Sequence, residues 1–167
     1  YLNSIFFVNS SKGFAVGDDG TILKTTNAGN SWLRQNSGST RTLYSVFFVD
    51  SYTGFVAGYA STLLKTTDGG NNWSGSENLP LGLTFAGDPQ AFFDNSGNAY
   101  YEAIGADHEA VYIAKSTNGG ANWTALSGGG YISTQSVAVD RSHPDVIYAG
   151  DYFGAISKST NGGTSWT

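Results

Sequence analysis

The 167-residue chain has no cysteine, no methionine, only three prolines and few charges, with eight Lys plus Arg against thirteen Asp plus Glu. Each shortage excludes something. Without Cys there can be no disulfide and no thiolate metal site, although the compartment stays open because many secreted bacterial proteins also lack Cys. Without Met the chain reads as a piece of something longer, or as a processed form. The net charge of −5 and the thin spread of basic residues argue against a nucleic-acid surface, which needs clustered Lys and Arg. No apolar run approaches the roughly 20 residues that span a bilayer, and no signal-peptide pattern is visible, so membrane insertion is not expected. Helical periodicity is hard to find anywhere.

Glycine (23 residues) and aromatics (14 %) are plentiful, which suits many short strands joined by tight turns. One nine-residue stretch is written four times. Lys65-Thr66-Thr67-Asp68-Gly69-Gly70-Asn71-Asn72-Trp73 returns as Lys24 to Trp32, Lys115 to Trp123 and Lys158 to Trp166. The tryptophans are 41, 50 and 43 residues apart, and a period of that size marks a repeat architecture.

The spacing inside each copy predicts a turn between strands. An apolar strand ends at Lys-[Thr/Ser]-Thr. An Asp or Asn (Asn27, Asp68, Asn118, Asn161) then opens the turn by accepting backbone N–H groups two residues ahead. Gly29, Gly70, Gly120 and Gly163 supply positive φ. Trp32, Trp73, Trp123 and Trp166 begin the next strand and seal the seam with a large apolar body. Three copies carry Asn where the fourth carries Asp68. A metal ligand would rarely lose its carboxylate so often, whereas a turn acceptor loses nothing, so no metal and no cofactor are expected.

These stretches resemble Asp-boxes, the BNR repeats of sialidases and related β-propellers. The resemblance implies an all-β propeller of four-stranded antiparallel blades, four of them visible: about 1–40, 41–80, 81–130 and 131–167, the last clipped. The first strands, such as Ser4 to Val8 and Ser45 to Val49, are apolar at nearly every position, which predicts burial on both faces between neighbouring blades. Since most Asp-box propellers have six or more blades, the expected partners are further blades of a longer chain or identical chains. Unpaired faces would expose apolar patches, so a soluble lone monomer is not expected.

The first two units, with Gly13-Phe14-Ala15-Val16-Gly17-Asp18-Asp19-Gly20-Thr21-Ile22-Leu23-Lys24-Thr25-Thr26, resemble photosystem II stability/assembly-factor repeats, which are also common in secreted bacterial proteins. The fourth, with His143-Pro144-Asp145-Val146-Ile147-Tyr148-Ala149-Gly150, resembles blades of xyloglucanases and sortilin-type ectodomains. Gly87-Asp88-Pro89 and Gly97-Asn98-Ala99-Tyr100-Tyr101 are similar to sialidase-like exo-enzymes.

By analogy with other propellers, ligands are expected on the face opposite the boxes. Asp18, Asp19, Arg41, Tyr59, Asp88, Asp107, His108, Glu109, Tyr131, Asp151, Tyr152 and Phe153 are its candidates. Glycoside hydrolysis needs two carboxyl groups about 5–10 Å apart, and Asp88 with Asp151 is the pair to test. The blander reading, which is favoured, makes Asp88 a turn cap before Pro89 and Asp151 a solvated loop residue. Sialidase chemistry wants an arginine triad, and Arg34, Arg41 and Arg141 do not precede boxes in the sialidase manner. Asp107-His108-Glu109 reads better as a solvated loop tip than as a metal cluster. Tyr59, Tyr131, Tyr152 and Phe153 could stack on a ligand or serve ordinary packing. Lys24, Lys65, Lys115 and Lys158 form a repeated set that suits strand-end solubility better than a polyanion site.

The function expected is a non-enzymatic, secreted or cell-surface interaction module with a protein or glycan ligand. The alternative is a fragment of a glycoside hydrolase acting on polysaccharide, and a photosystem assembly factor is the third reading.

Overall fold

A computed structural model describes residues 1–76, 85–94, 97–105, 111–126, 134–140, 142–151 and 154–167. Among the described residues fifteen strands are formed. In chain order they are β1 (Leu2–Phe7), β2 (Gly13–Gly17), β3 (Thr21–Thr25), β4 (Leu33–Gln35), β5 (Leu43–Phe48), β6 (Gly54–Gly58), β7 (Thr62–Thr66) and β8 (Ser74–Ser76). There follow β9 (Phe85–Phe93), β10 (Ala99–Gly105), β11 (Val111–Ser116), β12 (Thr124–Leu126), β13 (Thr134–Val139), β14 (Ile147–Asp151) and β15 (Ile156–Ser159). They make four antiparallel sheets in simple meander order, β1-β2-β3-β4, β5-β6-β7-β8, β9-β10-β11-β12 and β13-β14-β15. No described helix is long and apolar enough to cross a membrane. The chain divides into two compact units, Tyr1–Leu79 with Asp88–Ala91, and Pro80–Gly87 with Phe92–Thr167.

Within the first unit, register fixes what each sheet presents. Cross-strand partners share a face, so Phe6, Phe14 and Lys24 lie on one side of the first sheet and Ile5, Ala15 and Leu23 on the other. The second sheet repeats the pattern with Val46, Val56 and Leu64 in line. Between the two sheets lies the core: Phe14, Val16 and Ile22 from the first meet Val46, Phe48, Val56, Leu64 and Trp73 from the second, with Phe6 and Val8 alongside. Phe14 stacks on Phe48 at 4.3 Å, and Trp73 stands edge-on to both rings at 6.1 and 5.9 Å. Burying aromatics of this size is worth about 1.5–3 kcal/mol for each ring.

Burial departs from the expectation for the first strands. It is β2 and β6 that are buried at every residue, whereas β1 exposes Leu2, Ile5 and Phe7. Hydrogen-bonded neighbours cover the edges of a central strand, and what packs on its faces decides the rest: Tyr148, on the central strand β14, is 40 % exposed. A first strand lies at the edge of its sheet and relies on sheets packed against it, and within the described residues of the first unit only the inner face of β1 is so covered.

The boxes also differ in detail from the expected turn. The Asx side chain accepts a backbone N–H four residues ahead, not two: Ser31 to Asn27, Asn72 to Asp68, Asn122 to Asn118 and Ser165 to Asn161, at 2.9–3.0 Å. The strand resumes one residue after Trp, at Leu33, Ser74 and Thr124. The centre of the motif is a hydroxyl. Thr25, Thr66, Ser116 and Ser159 are all buried. Each donates to the Asx carbonyl or carboxylate oxygen and accepts the N–H of the glycine two residues after that Asx (Gly29, Gly70, Gly120 and Gly163) at 2.9–3.0 Å. Gly70 shows why that glycine is needed: φ is +76°, and a Cβ there would strike the Phe14 ring of the first sheet.

A second Asx turn repeats at the end of each first strand. Asn9, Asp50, Asp94 and Asp140 accept backbone N–H groups of the following loop, for example Thr53 to Asp50 at 2.7 Å and Ser142 to Asp140 at 2.8 Å. The two turn systems are joined, since Ala28 donates to the Ser11 carbonyl, Gly69 to Tyr52 and Gly162 to Asp145. Boxes and first-to-second turns therefore share one end of the sheet.

Candidate functional site

The opposite end carries the second-to-third turns and the connection between sheets. In the first unit those turns are Asp18 to Thr21 and Tyr59 to Thr62, each closed by an N–H to C=O bond across the turn. Their central residues, Asp19 (φ +55°) with Gly20 (+61°) and Ala60 (+51°) with Ser61 (+60°), are all left-handed, which is the hairpin turn whose twist matches the strands. Ala60 and Ser61 hold that conformation without glycine, which costs about 1 kcal/mol or more for each. Their surroundings fix them: the Arg41 guanidinium donates to the Ala60 carbonyl at 2.8 Å, and the Thr62 hydroxyl donates to the Tyr59 carbonyl at 2.7 Å.

The connecting segment locks onto the same turns. Gly20 N–H donates to the Arg41 carbonyl and Tyr59 N–H to the Thr42 carbonyl. A Cβ on Gly20 would collide with the Ser39 carbonyl, so the close approach demands glycine. Beside this junction a shallow polar cleft of about 370 Å³ is lined by Gly20, Arg34, Gln35, Asn36, Ser37 and Ser39. Arg34 is exposed and donates to the Asp19 carbonyl at 3.2 Å. A smaller cleft of about 210 Å³ lies by the first box, between Lys24, Leu33 and Asn71.

Of the residues singled out from sequence, Tyr59 sits at the turn tip with half its surface exposed, and Arg41 is half-buried and engaged with the neighbouring turn. Asp18 is tied to the first amino group (2.9 Å) and to Asn3 (3.3 Å), and those bonds hold its carboxyl below the usual range. Asp88 lies inside the nine-residue strand β9 rather than in a turn before Pro89, and Asp151 ends β14, opposite Thr134, rather than lying in a loop. The side chains of both are outside the described residues, as are Asp107, His108, Glu109, Tyr131, Arg141, Tyr152 and Phe153. Among the described residues no three His, Asp or Glu side chains come together as metal ligands. Asp68 is fully engaged in its turn. One oxygen takes the Thr66 hydroxyl and two backbone N–H groups, and the other takes the Asn72 amide at 2.7 Å, which together depress its pKa strongly.

The box lysines do more than keep a strand end soluble. Each lies directly across from an aromatic of the second strand and caps its ring: Lys24 over Phe14, Lys65 over Phe55, Lys115 over Tyr100 and Lys158 over Tyr148, at 5.4–5.8 Å. Such cation–π contacts are worth about 0.5–2 kcal/mol. The Lys24 ammonium also donates to the Asn71 side-chain carbonyl oxygen at 2.8 Å. Burial lowers the pKa of Lys24, and the neighbouring positive charge of Lys12 adds to it. Lys12, outside any box, crosses from the first sheet to the Ser51 carbonyl at 2.8 Å over the Phe14 and Phe48 rings. A lone lysine two residues before Phe14 gave no signal that it would bridge two sheets.

Residues 1–166 match the family model described as "Photosynthesis system II assembly factor YCF48". No curated protein matches. Among solved structures, one titled "YCF48 bound to D1 peptide" superposes with a TM-score of 0.71 at 25 % identity, over 99 % of this chain and 51 % of that one. YCF48 from Cyanidioschyzon merolae gives 0.66 and 26 %, over 99 % and 55 %. The GH74 enzyme of Niastella koreensis gives 0.72 at 22 %, over 95 % of this chain and 27 % of that one, a likeness of fold alone. The chain spans about half the length of the YCF48 structures it matches. Its sheets are propeller blades with BNR-type repeats, and by the match over residues 1–166 the chain belongs to the photosystem II assembly factor YCF48 family.

Proposed function

We propose that this chain is a non-enzymatic propeller module that binds a protein segment. The observation that carries the reading is the family match over residues 1–166, joined to a similar structure described as bound to a peptide. The geometry is compatible with that role. The end of the first unit opposite the boxes offers an exposed arginine, an exposed tyrosine and a polar cleft on rigid, mutually bonded turns. A rigid surface of that kind orders little on binding, so more of the contact energy appears as affinity. Arg34 would meet a carboxylate or a backbone carbonyl, and Tyr59 would lie on an apolar side chain. A secreted or cell-surface location belongs to the same proposal. It rests on the repeat type, and fractionation of the natural host tests it.

The binding test uses the D1 peptide as the first defined probe and a displayed library of random 12-residue peptides as the second. Fluorescence anisotropy should give a saturable Kd in the micromolar range for at least one of them, weakened several-fold in Arg34→Ala or Tyr59→Ala. If no peptide from either source binds below about 1 mM, the reading fails. Release of reducing sugar from xyloglucan by the chain would replace it with the hydrolase reading.

A further inference from the structure

The smaller cleft opens between the first and second blades, with Lys24, Leu33 and Gln35 on one wall and Asn71 on the other, all within the first unit. Register makes its leucine unusual. Leu33 stands opposite Lys24 where Ser74 stands opposite Lys65, Thr124 opposite Lys115 and Thr167 opposite Lys158. Three repeats place a hydroxyl there, and the first places a leucine that is 71 % exposed and lies outside the core between the sheets. A lone exposed leucine needs no explanation, but its surroundings give this one a context.

The larger cleft adjoins the smaller, since Gln35 lines both. Together they follow β4, about 10 Å of strand, with Arg34 in one and Lys24 in the other. No Asp or Glu is among their described lining residues, in a chain whose acidic residues outnumber its basic ones by thirteen to eight. Asp68, whose charge acts on Lys24, is committed to its own turn. β4 is also the terminal strand of its sheet, with no described strand beyond it, so its outer edge offers backbone groups for pairing. The Gln35 amide covers the Leu33 carbonyl at 3.2 Å, a bond at the long end of its range that a peptide N–H can replace.

We propose that an acidic peptide segment adds to β4 as a fifth, extended strand, an inference that rests on the peptide-binding reading above and gives it a mode and a ligand chemistry. Strand addition draws affinity from main-chain hydrogen bonds and specificity from alternate side chains. In an antiparallel pairing the residue opposite Arg34 carries a carboxylate, and the next, opposite Leu33, is apolar. Two places further, on the face of Leu33, a second carboxylate meets the Lys24 ammonium beside Ser31. The ligand pattern is therefore polar, acidic, apolar, any residue, acidic.

Fluorescence anisotropy with the full 167-residue chain and a fluorescein-labelled Thr-Glu-Val-Thr-Asp amide tests it. Binding should saturate in the micromolar range, and the counterpart with Lys in place of Glu and Asp should bind more weakly by about tenfold or more. Two further peptides carry one backbone N-methyl group each, at the Glu or at the Val. Successive N–H groups of a strand point to opposite sides, so one methyl group should abolish binding and the other should leave it intact. Leu33→Ser, which copies the second blade at Ser74, should weaken binding several-fold with an unchanged circular dichroism spectrum. If that variant does not fold, the N-methyl pair decides. No binding of the acidic peptide below about 1 mM, equal behaviour of the two N-methyl peptides, or preference for the lysine peptide would each overturn the proposal. A library peptide weakened by Tyr59→Ala but not by Leu33→Ser would also overturn it while leaving the broader reading in place, whereas failure of every peptide removes both.

Discussion

The first and second blades are nearly the same sentence written twice, and they behave differently. Both run from a Ser through a pair of aromatics, a Gly-Phe central strand and a box to Trp with identical spacing. In the second blade the residues facing back along the chain are core, while in the first the same residues are surface. Local sequence thus sets strand, turn and register, but burial belongs to the neighbour. The blade is a unit that cannot cover its own faces, as in other repeat proteins.

The strongest way to break the comparison is at the shared ring. Phe14→Ala removes the side chain that stacks on Phe48 and lies against Trp73, and should cost about 3–5 kcal/mol. Phe7→Ala, an equally large truncation on the half-open face, should cost about 1 kcal/mol or less. Urea denaturation of the two variants measures the gap, and equal losses would mean that the blades are not distinguished by their neighbours.

A smaller effect is expected at the box hydroxyl. Thr66→Val keeps the shape but leaves the Gly70 N–H without its acceptor and removes one of the three donors to an Asp68 oxygen, which should cost about 1–3 kcal/mol. Thr67→Val, the next residue and exposed, should be close to neutral. Chemical denaturation checks both, and amide exchange at Gly70 should accelerate in the first variant only.

The smallest effect compares the one charged box with the three neutral ones. Backbone and side-chain hydrogen bonds hold the Asp68 pKa below its ordinary value. The stability it contributes is therefore present above the unfolded carboxylate pKa near 4 and is lost as pH falls below that toward the folded value. Asp68→Asn should leave neutral-pH stability nearly unchanged, as Asn27, Asn118 and Asn161 serve the same turn. It should also flatten part of the acid limb in thermal melts recorded from pH 6 to pH 2. An unchanged acid limb would mean that the bonds to Asp68 do not survive in solution.

Much of this fold was legible in the residues. The four boxes and their period announced blades, and the meander of short strands followed from Gly and aromatic spacing. The hydroxyl at the centre of each box was also in view, as the Thr or Ser after each Lys, but the turn reading gave its role to the Asx alone. Asn9, Asp50, Asp94 and Asp140 recur at strand ends, and their capping role needed the second turn to be seen against the box loop. The lysine–aromatic pairs depended on register: Lys24 and Phe14 are ten residues apart and become partners only when β2 and β3 pair. The polar cleft of Arg34 was out of reach because it is built from a hairpin turn and a connector, neither of which carries a motif.

The comparison of the two faces is tested most directly by hydroxyl-radical footprinting of the 167-residue chain in dilute solution. Val46, Phe48 and Trp73 should be protected, and their equivalents Ile5 and Phe7 should be oxidised several-fold faster. Equal rates at the equivalent positions of the two sheets would contradict the account.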